Sequence, residues 1–328
     1  MSAEQLLRAL ADGQTHSGEA LAREFGITRA AIWKQVAKLA DWGLTVAAVP
    51  GEGYRLAQPI DLLDVAALEA LLERKTVARL GRLEVFTELP STNRHLLAAA
   101  PVPGSLDVCV AEYQTEGRGR RGRRWSAPLG SGICLSVGWQ FAEMPSELAA
   151  LTLAVGVVVR RTLKRVAGLD IALKWPNDLV FDERKLGGIL VELAVEAQGG
   201  SHVVAGIGLN VALAPRLLPQ LSDWPRGAVD LKTALGGEPP PRAALVAALV
   251  DGLAALFAEY PATGFAAYRG DWRAGDYLRG RAVCLDEAAG AVMGTALGID
   301  ADGALLIEMQ GGVRRRVVAG DVSVRSGR

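Results

Sequence analysis

The chain has 328 residues, enough for two or three domains, and its 50% hydrophobic and 22% charged residues are the ordinary balance of a soluble globular protein. Its 36 basic residues offset 36 acidic ones, so no global field draws it to nucleic acid or a membrane, and any such binding must come from a local patch. Cys109, Cys134 and Cys284 lie in separate apolar runs and His16, His95 and His202 are far apart, which suggests neither a disulfide framework nor a zinc site. No hydrophobic signal core stands near Glu4, and the longest apolar stretch is read as Leu148 to Val159, too short for the ~20 residues that span a bilayer. A cytoplasmic enzyme without a membrane partner is expected.

In the first sixty residues, Ser2 with Gln5 forms a capping box that opens a helix to about Asp12. Ser17 starts a second helix that stops at Gly26, and Thr28 caps a third. In that third helix Ile32, Val36 and Leu39 repeat at helical spacing and face a core, leaving Arg29, Trp33, Lys34 and Lys38 outward. Two short strands about Pro50-Gly51 follow, completing a winged helix-turn-helix over 1–60. In such a module the N-terminal part of the third helix reads base edges, so Thr28, Arg29, Trp33, Lys34 and Lys38 are candidate contacts to operator DNA. The positive residues of the module are matched in number by acidic ones, which leaves a plain docking domain as the alternative.

Pro59 to Asp64 reads as a linker and Val65 to Arg74 as an amphipathic helix. Strand-like runs recur at 83–86, 108–112, 133–139, 171–175, 179–181, 188–193 and 203–208, with helices near 91–100 and 146–166. This is a mixed sheet backed by helices, an α+β pattern, assigned to 61–274. From about Gly275 five short strands, the last running from Val322 to Arg325, read as an SH3-like barrel over 275–328.

Two segments carry the chemistry. Residues 117–125 read Gly-Arg-Gly-Arg-Arg-Gly-Arg-Arg-Trp, five arginines in seven residues with glycines that let the backbone curl around an anion. A solvated nucleic-acid patch rich in Arg and Gly is the alternative, but Glu112-Tyr113-Gln114 before it and a buried-strand pattern at 132–139 after it anchor the loop inside a domain. The second segment is Lys174-Trp-Pro-Asn-Asp178 followed by Lys185-Leu-Gly-Gly-Ile-Leu-Val-Glu192. No GxGxxG fingerprint or Walker loop is present, so a nucleotide would be held by these segments.

With Ser91-Thr92-Asn93, Glu112-Tyr113-Gln114 and Ala205-Gly206-Ile207-Gly208-Leu209-Asn210, these segments resemble the biotin protein ligases, in particular the subset that doubles as biotin-operon repressors. The resemblance implies a central domain of the biotin/lipoate ligase type, with biotin and ATP as substrates and Mg²⁺ as the metal. A biotin carboxyl carrier protein of acetyl-CoA carboxylase would be the acceptor, and the adenylate-bound form would be a homodimer. It assigns catalysis to Lys185, Arg118 and Arg120, and the biotin pocket to Ser91, Thr92, Asn93, Gln114, Arg118, Gly119, Arg120, Lys185, Gly206 and Gly208. ATP and adenylate contacts fall to Arg120, Arg121, Trp125, Lys174, Asn177, Asp178 and Asn210, with Asp178 beside Mg²⁺. Asp321 stands where related sequences often have glutamate, so neither it nor Arg325 receives a role. A non-catalytic biotin sensor, or a lipoate or octanoate transferase, are the alternative readings.

Overall fold

The computed structural model describes residues 2–99, 102–142, 148–195, 201–214, 224, 226–287 and 290–324. The capping box at Ser2 and Gln5 is formed, and it opens α1 (Ala3–Leu10). Ser17 and Thr28 cap α2 (Gly18–Glu24) and α3 (Arg29–Asp41) with their hydroxyls. On α3, Ile32 and Leu39 are buried one heptad apart and Val36 packs beside them, as the periodicity requires. The wing is β1 (Val46–Val49) paired antiparallel with β2 (Gly53–Leu56). Gly53 is obligatory there, because a Cβ would lie 1.9 Å from the His16 carbonyl oxygen.

The expected helix from Val65 to Arg74 is two helices, α4 (Val65–Leu71) and α5 (Arg74–Val77), because Leu72 turns to an extended conformation. The central sheet holds β3 (Leu80–Leu89), β4 (Leu106–Gln114), β5 (Gly132–Phe141), β6 (Ala172–Lys174), β7 (Asp178–Phe181), β8 (Arg184–Val195) and β9 (Ser201–Asn210). Its strand order is β3-β4-β5-β9-β8-β7-β6, parallel only between β3 and β4, which is the mixed sheet expected.

Each face of this sheet has its own composition. On β9, Val203, Ala205, Ile207 and Leu209 belong to the main core, with α7 (Leu148–Ala167) and the long helix α9 (Arg242–Thr263) packed on that side. The alternate residues begin with Val204, which packs with Leu96 of α6 (Thr92–Ala98) and Cys109, and continue as Gly206 and Gly208. Successive glycines on one face leave open space between the strand and whatever lies over it.

Three helices escaped the sequence reading: α8 (Leu231–Leu235), α9 and α10 (Ala266–Gly275). Helix α9 also corrects the choice of longest apolar segment. It has 22 residues, and its most apolar 18-residue stretch has a mean hydropathy of 1.7, enough by length and composition to cross a membrane. Here it packs against α7, α4 and β5, and a helix that is apolar all round shows no periodicity by which to recognise it. At its first residue Arg242 makes a bidentate pair with Glu112 of β4, at 2.7 and 3.1 Å, with both side chains almost wholly buried. The same Glu112 accepts from the Leu63 backbone N–H at 2.6 Å, and Arg242 donates to the Asp61 carbonyl, so one ion pair fastens linker, sheet and helix.

The C-terminal strands are β10 (Ala282–Glu287), β11 (Gly290–Ile299), β12 (Leu305–Glu308), β13 (Arg314–Val317) and β14 (Asp321–Val324). They form one antiparallel sheet in the order β13-β12-β11-β10-β14, consistent with the SH3-like barrel expected. Arg325 lies outside the described residues.

Candidate active site

A cavity of about 270 Å³ opens on the glycine face of the central sheet. One end is neutral and polar. Ser91 caps α6, and its hydroxyl accepts from the Arg94 N–H at 3.5 Å. The Thr92 backbone N–H donates to Gln114 Oε1 at 2.9 Å, with the Thr92 hydroxyl 3.2 Å from the same oxygen. Ser136 Oγ lies 2.6 Å from Asn93 Oδ1 and 2.7 Å from Thr92 Oγ1. An amide oxygen only accepts, so Ser136 donates its single proton to Asn93, and Thr92 has to donate to Ser136 or Gln114. Asn93 Nδ2 donates to Leu190 O at 3.1 Å and to Glu192 Oε2 at 2.8 Å. Ser136 and Glu192 were missed in the sequence. Both could have been found from strand alternation, since Ser136 pairs with Gly206 and Glu192 with Val204 on the glycine-bearing face.

The other end is cationic. Arg118, Arg120, Arg123, Arg124, Lys174 and Lys185 line the cavity against the two carboxylates Asp178 and Asp321, an excess of four positive charges. The arginine loop is ordered by its own backbone: Gly119 N donates to Arg123 O at 2.7 Å and Trp125 N to Gly117 O at 2.9 Å. Arg121, with φ of 54°, and Gly122, at 74°, turn the tip through the left-handed region. Arg120 is held below its usual pKa by burial, and its Nη1 is buried without a hydrogen-bond partner. A buried, unmatched guanidinium is the donor an anionic ligand would satisfy.

Lys185 Nζ lies 2.6 Å from Asp178 Oδ1 and Lys174 Nζ 3.7 Å from Oδ2, so one carboxylate fixes two ammonium groups at the cavity wall. Burial pushes the Lys174 pKa down, and its Nζ stands 4.2 Å above the Trp224 ring. Asn177 lines the cavity too but spends its Nδ2 on Ile189 O at 2.8 Å, which shapes the turn before β7. Among the described residues no group of three His, Cys, Asp or Glu is arranged for a metal. A metal at Asp178 would therefore draw its other oxygens from a bound ligand and from water.

Trp125 lines the cavity and lies over Gly208, where a Cβ would come within 2.4 Å of its ring; at Gly206 a Cβ would come within 2.1 Å of Asn93 Oδ1. The two glycines make room for these two side chains. Burial pushes the nearby Cys134 thiol up to about 11, so it is a neutral wall.

Two expected residues stand elsewhere. Asn210 is buried and donates to Val229 O at 3.1 Å, and Arg121 pairs with Asp321 at 3.5 Å; neither side chain lines the cavity. Asp321, which received no role from the sequence, accepts from Arg123 at 2.7 Å and ties the loop to the C-terminal sheet. Of the DNA-contact candidates, Arg29, Trp33 and Lys34 are exposed, and the Thr28 hydroxyl caps α3. Lys38 departs from expectation: it is half-buried and turned toward Glu88 of β3 at 3.3 Å, where the Trp42 indole N–H also donates.

The pattern of the Biotin/lipoate A/B protein ligase family matches residues 85–210, flanked by an HTH domain match at 3–55 and a Biotin protein ligase C terminal domain match at 279–325. The Bifunctional ligase/repressor BirA of Salmonella typhimurium is 38% identical over 98% of this chain and 97% of its own length. The chain belongs to the biotin protein ligase family. The protein of the same name from Escherichia coli is 37% identical over the same shares of the two chains. The biotin protein ligase from Aquifex aeolicus in complex with biotin and ATP superposes with a TM-score of 0.62 at 25% identity, covering 76% of this chain and all of that one.

The tight fit between Gly208 and the indole gives a testable outcome. Gly208→Ala should displace Trp125 and cost about 1–3 kcal/mol of stability as overpacking. In nitrogen-15 spectra the Trp125 indole resonance should move while that of the distant, buried Trp272 stays; an unmoved Trp125 signal contradicts the packing described.

Proposed function

We propose that this chain is an ATP-dependent biotin protein ligase that forms biotinyl-5′-AMP and passes the biotinyl group to one lysine of a biotin carboxyl carrier protein. We further propose that it represses biotin synthesis genes with the same adenylate as co-repressor. The observation that carries the ligase reading is the polarity of one cavity, neutral hydrogen-bonding groups at one end and an excess of cations at the other. A ureido ring with donors and an acceptor fits the first end. A carboxylate meeting a triphosphate fits the second. A dithiolane ring offers the Ser91, Thr92, Asn93 and Gln114 cluster no comparable partners, which disfavours lipoate.

In the first step a biotin carboxylate oxygen bonds to the α-phosphorus of ATP as the bond to the β-phosphate oxygen breaks and pyrophosphate leaves. In the second, an acceptor lysine amine attacks the acyl carbon, AMP leaves with the oxygen, and the amine loses a proton. Negative charge gathers in both steps, so preorganised cations contribute most of the stabilisation. Lys185 bridges the carboxylate and the α-phosphate, and Arg118 and Arg120 neutralise the phosphates. Gly119 gives the loop backbone close approach, Lys174 adds charge at the phosphates, and Trp125 stacks on adenine. Asp178 is the carboxylate that would hold Mg²⁺, and the ion would supply further charge neutralisation at the phosphates.

In this reading residues 1–60 bind operator DNA, 61–274 carry the chemistry, and 275–328 close the arginine loop through Asp321. In the same reading the enzyme is cytoplasmic and its adenylate-bound form dimerises, so that two winged helices meet two half-sites about one twofold axis.

Lys185→Ala should slow pyrophosphate release roughly 10²- to 10³-fold, the scale for losing one electrostatic contact in a transition state. A near-normal rate removes Lys185 from the mechanism. The repressor half has its own test. Biotin with ATP should tighten operator binding roughly 5- to 150-fold, the usual range of allosteric coupling. Equal affinity with and without them leaves the ligase standing and sinks repression.

A further inference from the structure

Trp33 is 65% exposed, the most exposed large hydrophobic side chain among the described residues. It sits in the second turn of α3, the helix whose buried side is Ile32 and Leu39. Its neighbours at helical spacing are Arg29 and Ala37 at four residues either way and Ala30 at three, all exposed, with Lys34 next to it and also exposed. The outward face of the helix is thus an apolar strip, Ala30-Trp33-Ala37, edged by two cations, and no acidic residue falls in the first turn. Nothing in the module needs the indole as cover. The wing supplies its own aromatic, Tyr54, which packs over Gly18 and exchanges backbone hydrogen bonds with His16 at 2.9 Å. Lys38, the other cation of the helix, is turned away toward Glu88.

An indole face recognises neither a phosphate nor a polar base edge. In the major groove the apolar group is the thymine C5-methyl, and the N-terminal half of a recognition helix is the part that reaches base edges. Arg29 and Lys34 complement phosphates on either side of such a contact. We infer that Trp33 is a sequence-determining residue that reads thymine methyl groups in the operator half-site, while Arg29 and Lys34 set its register on the backbone. This rests on the repressor reading above and adds a base preference to it.

The test uses the full chain loaded with biotin and MgATP, first to enrich duplexes from a random library and then to bind each enriched thymine replaced singly by uracil. Uracil pairs as thymine does and lacks only the methyl. At one or two positions per half-site the replacement should weaken binding by the unaltered chain about fourfold, the worth of one buried methyl group. Trp33→Ala should bind thymine and uracil duplexes alike, and Trp33→Phe should keep part of the difference. Thermal unfolding of both variants, which alter an exposed side chain, verifies that they fold. An unchanged uracil penalty in Trp33→Ala, or no penalty at any thymine, overturns the inference and leaves repression standing. Enrichment of no duplex at all overturns both together.

Discussion

Six cationic side chains and two carboxylates share one small cavity, and that imbalance is what the surrounding structure has to sustain. Like charges at this density repel, and a guanidinium drawn out of water loses hydration that has to be replaced. The two carboxylates are placed to spread the load. Asp178 pairs with both Lys174 and Lys185, and Asp321 holds the loop arginines Arg121 and Arg123 from the C-terminal side. What is left unmatched, above all Arg120, favours an anion. A partly desolvated pocket of fixed cations lowers the energy of a transition state in which negative charge collects, because the cost of arranging the charges was met during folding.

The sheet makes this arrangement possible by giving its two faces different tasks. One face of β9 is Val203, Ala205, Ile207 and Leu209, packed under α7 and α9. The other is glycine beneath the cavity, where Trp125 and Asn93 approach the backbone too closely for any side chain to intervene. Rigidity comes from burial on the first face, and access from its lack on the second. The buried Arg242–Glu112 pair then fixes the start of α9 and the linker to the strand that runs directly into the arginine loop. Removing one partner of such a pair leaves a buried charge uncompensated, so it works as a fastening even though a matched pair adds little net stability.

Most of this architecture was legible in the sequence because local signals agree with the global fold. Caps at Ser2, Ser17 and Thr28, glycines at the turns, and strand-like apolar runs marked the elements of the winged helix and of the sheet. The motifs brought Ser91, Gln114, Arg118, Lys174 and Lys185 into a single cavity although more than ninety residues separate the first from the last. What escaped has physical reasons. Helix α9 is apolar on every side and gives no periodicity. Ser136 is a lone hydroxyl in an apolar strand whose partners lie on α6. The pairing of Asp321 with the arginine loop spans about two hundred residues and depends on how the C-terminal sheet docks, which no local pattern encodes. Lys38 looked free because its helix is amphipathic, and only the neighbouring β3 shows why it is not.

The chemistry assigned to this cavity joins a carboxylate to an α-phosphate and keeps the product. Native mass spectrometry of the full chain after incubation with biotin and MgATP, without an acceptor protein, tests it directly. One biotinyl-5′-AMP should be retained per chain, with an equal amount of pyrophosphate released. Recovery of the bare chain, or of biotin and ATP bound side by side and unreacted, contradicts it.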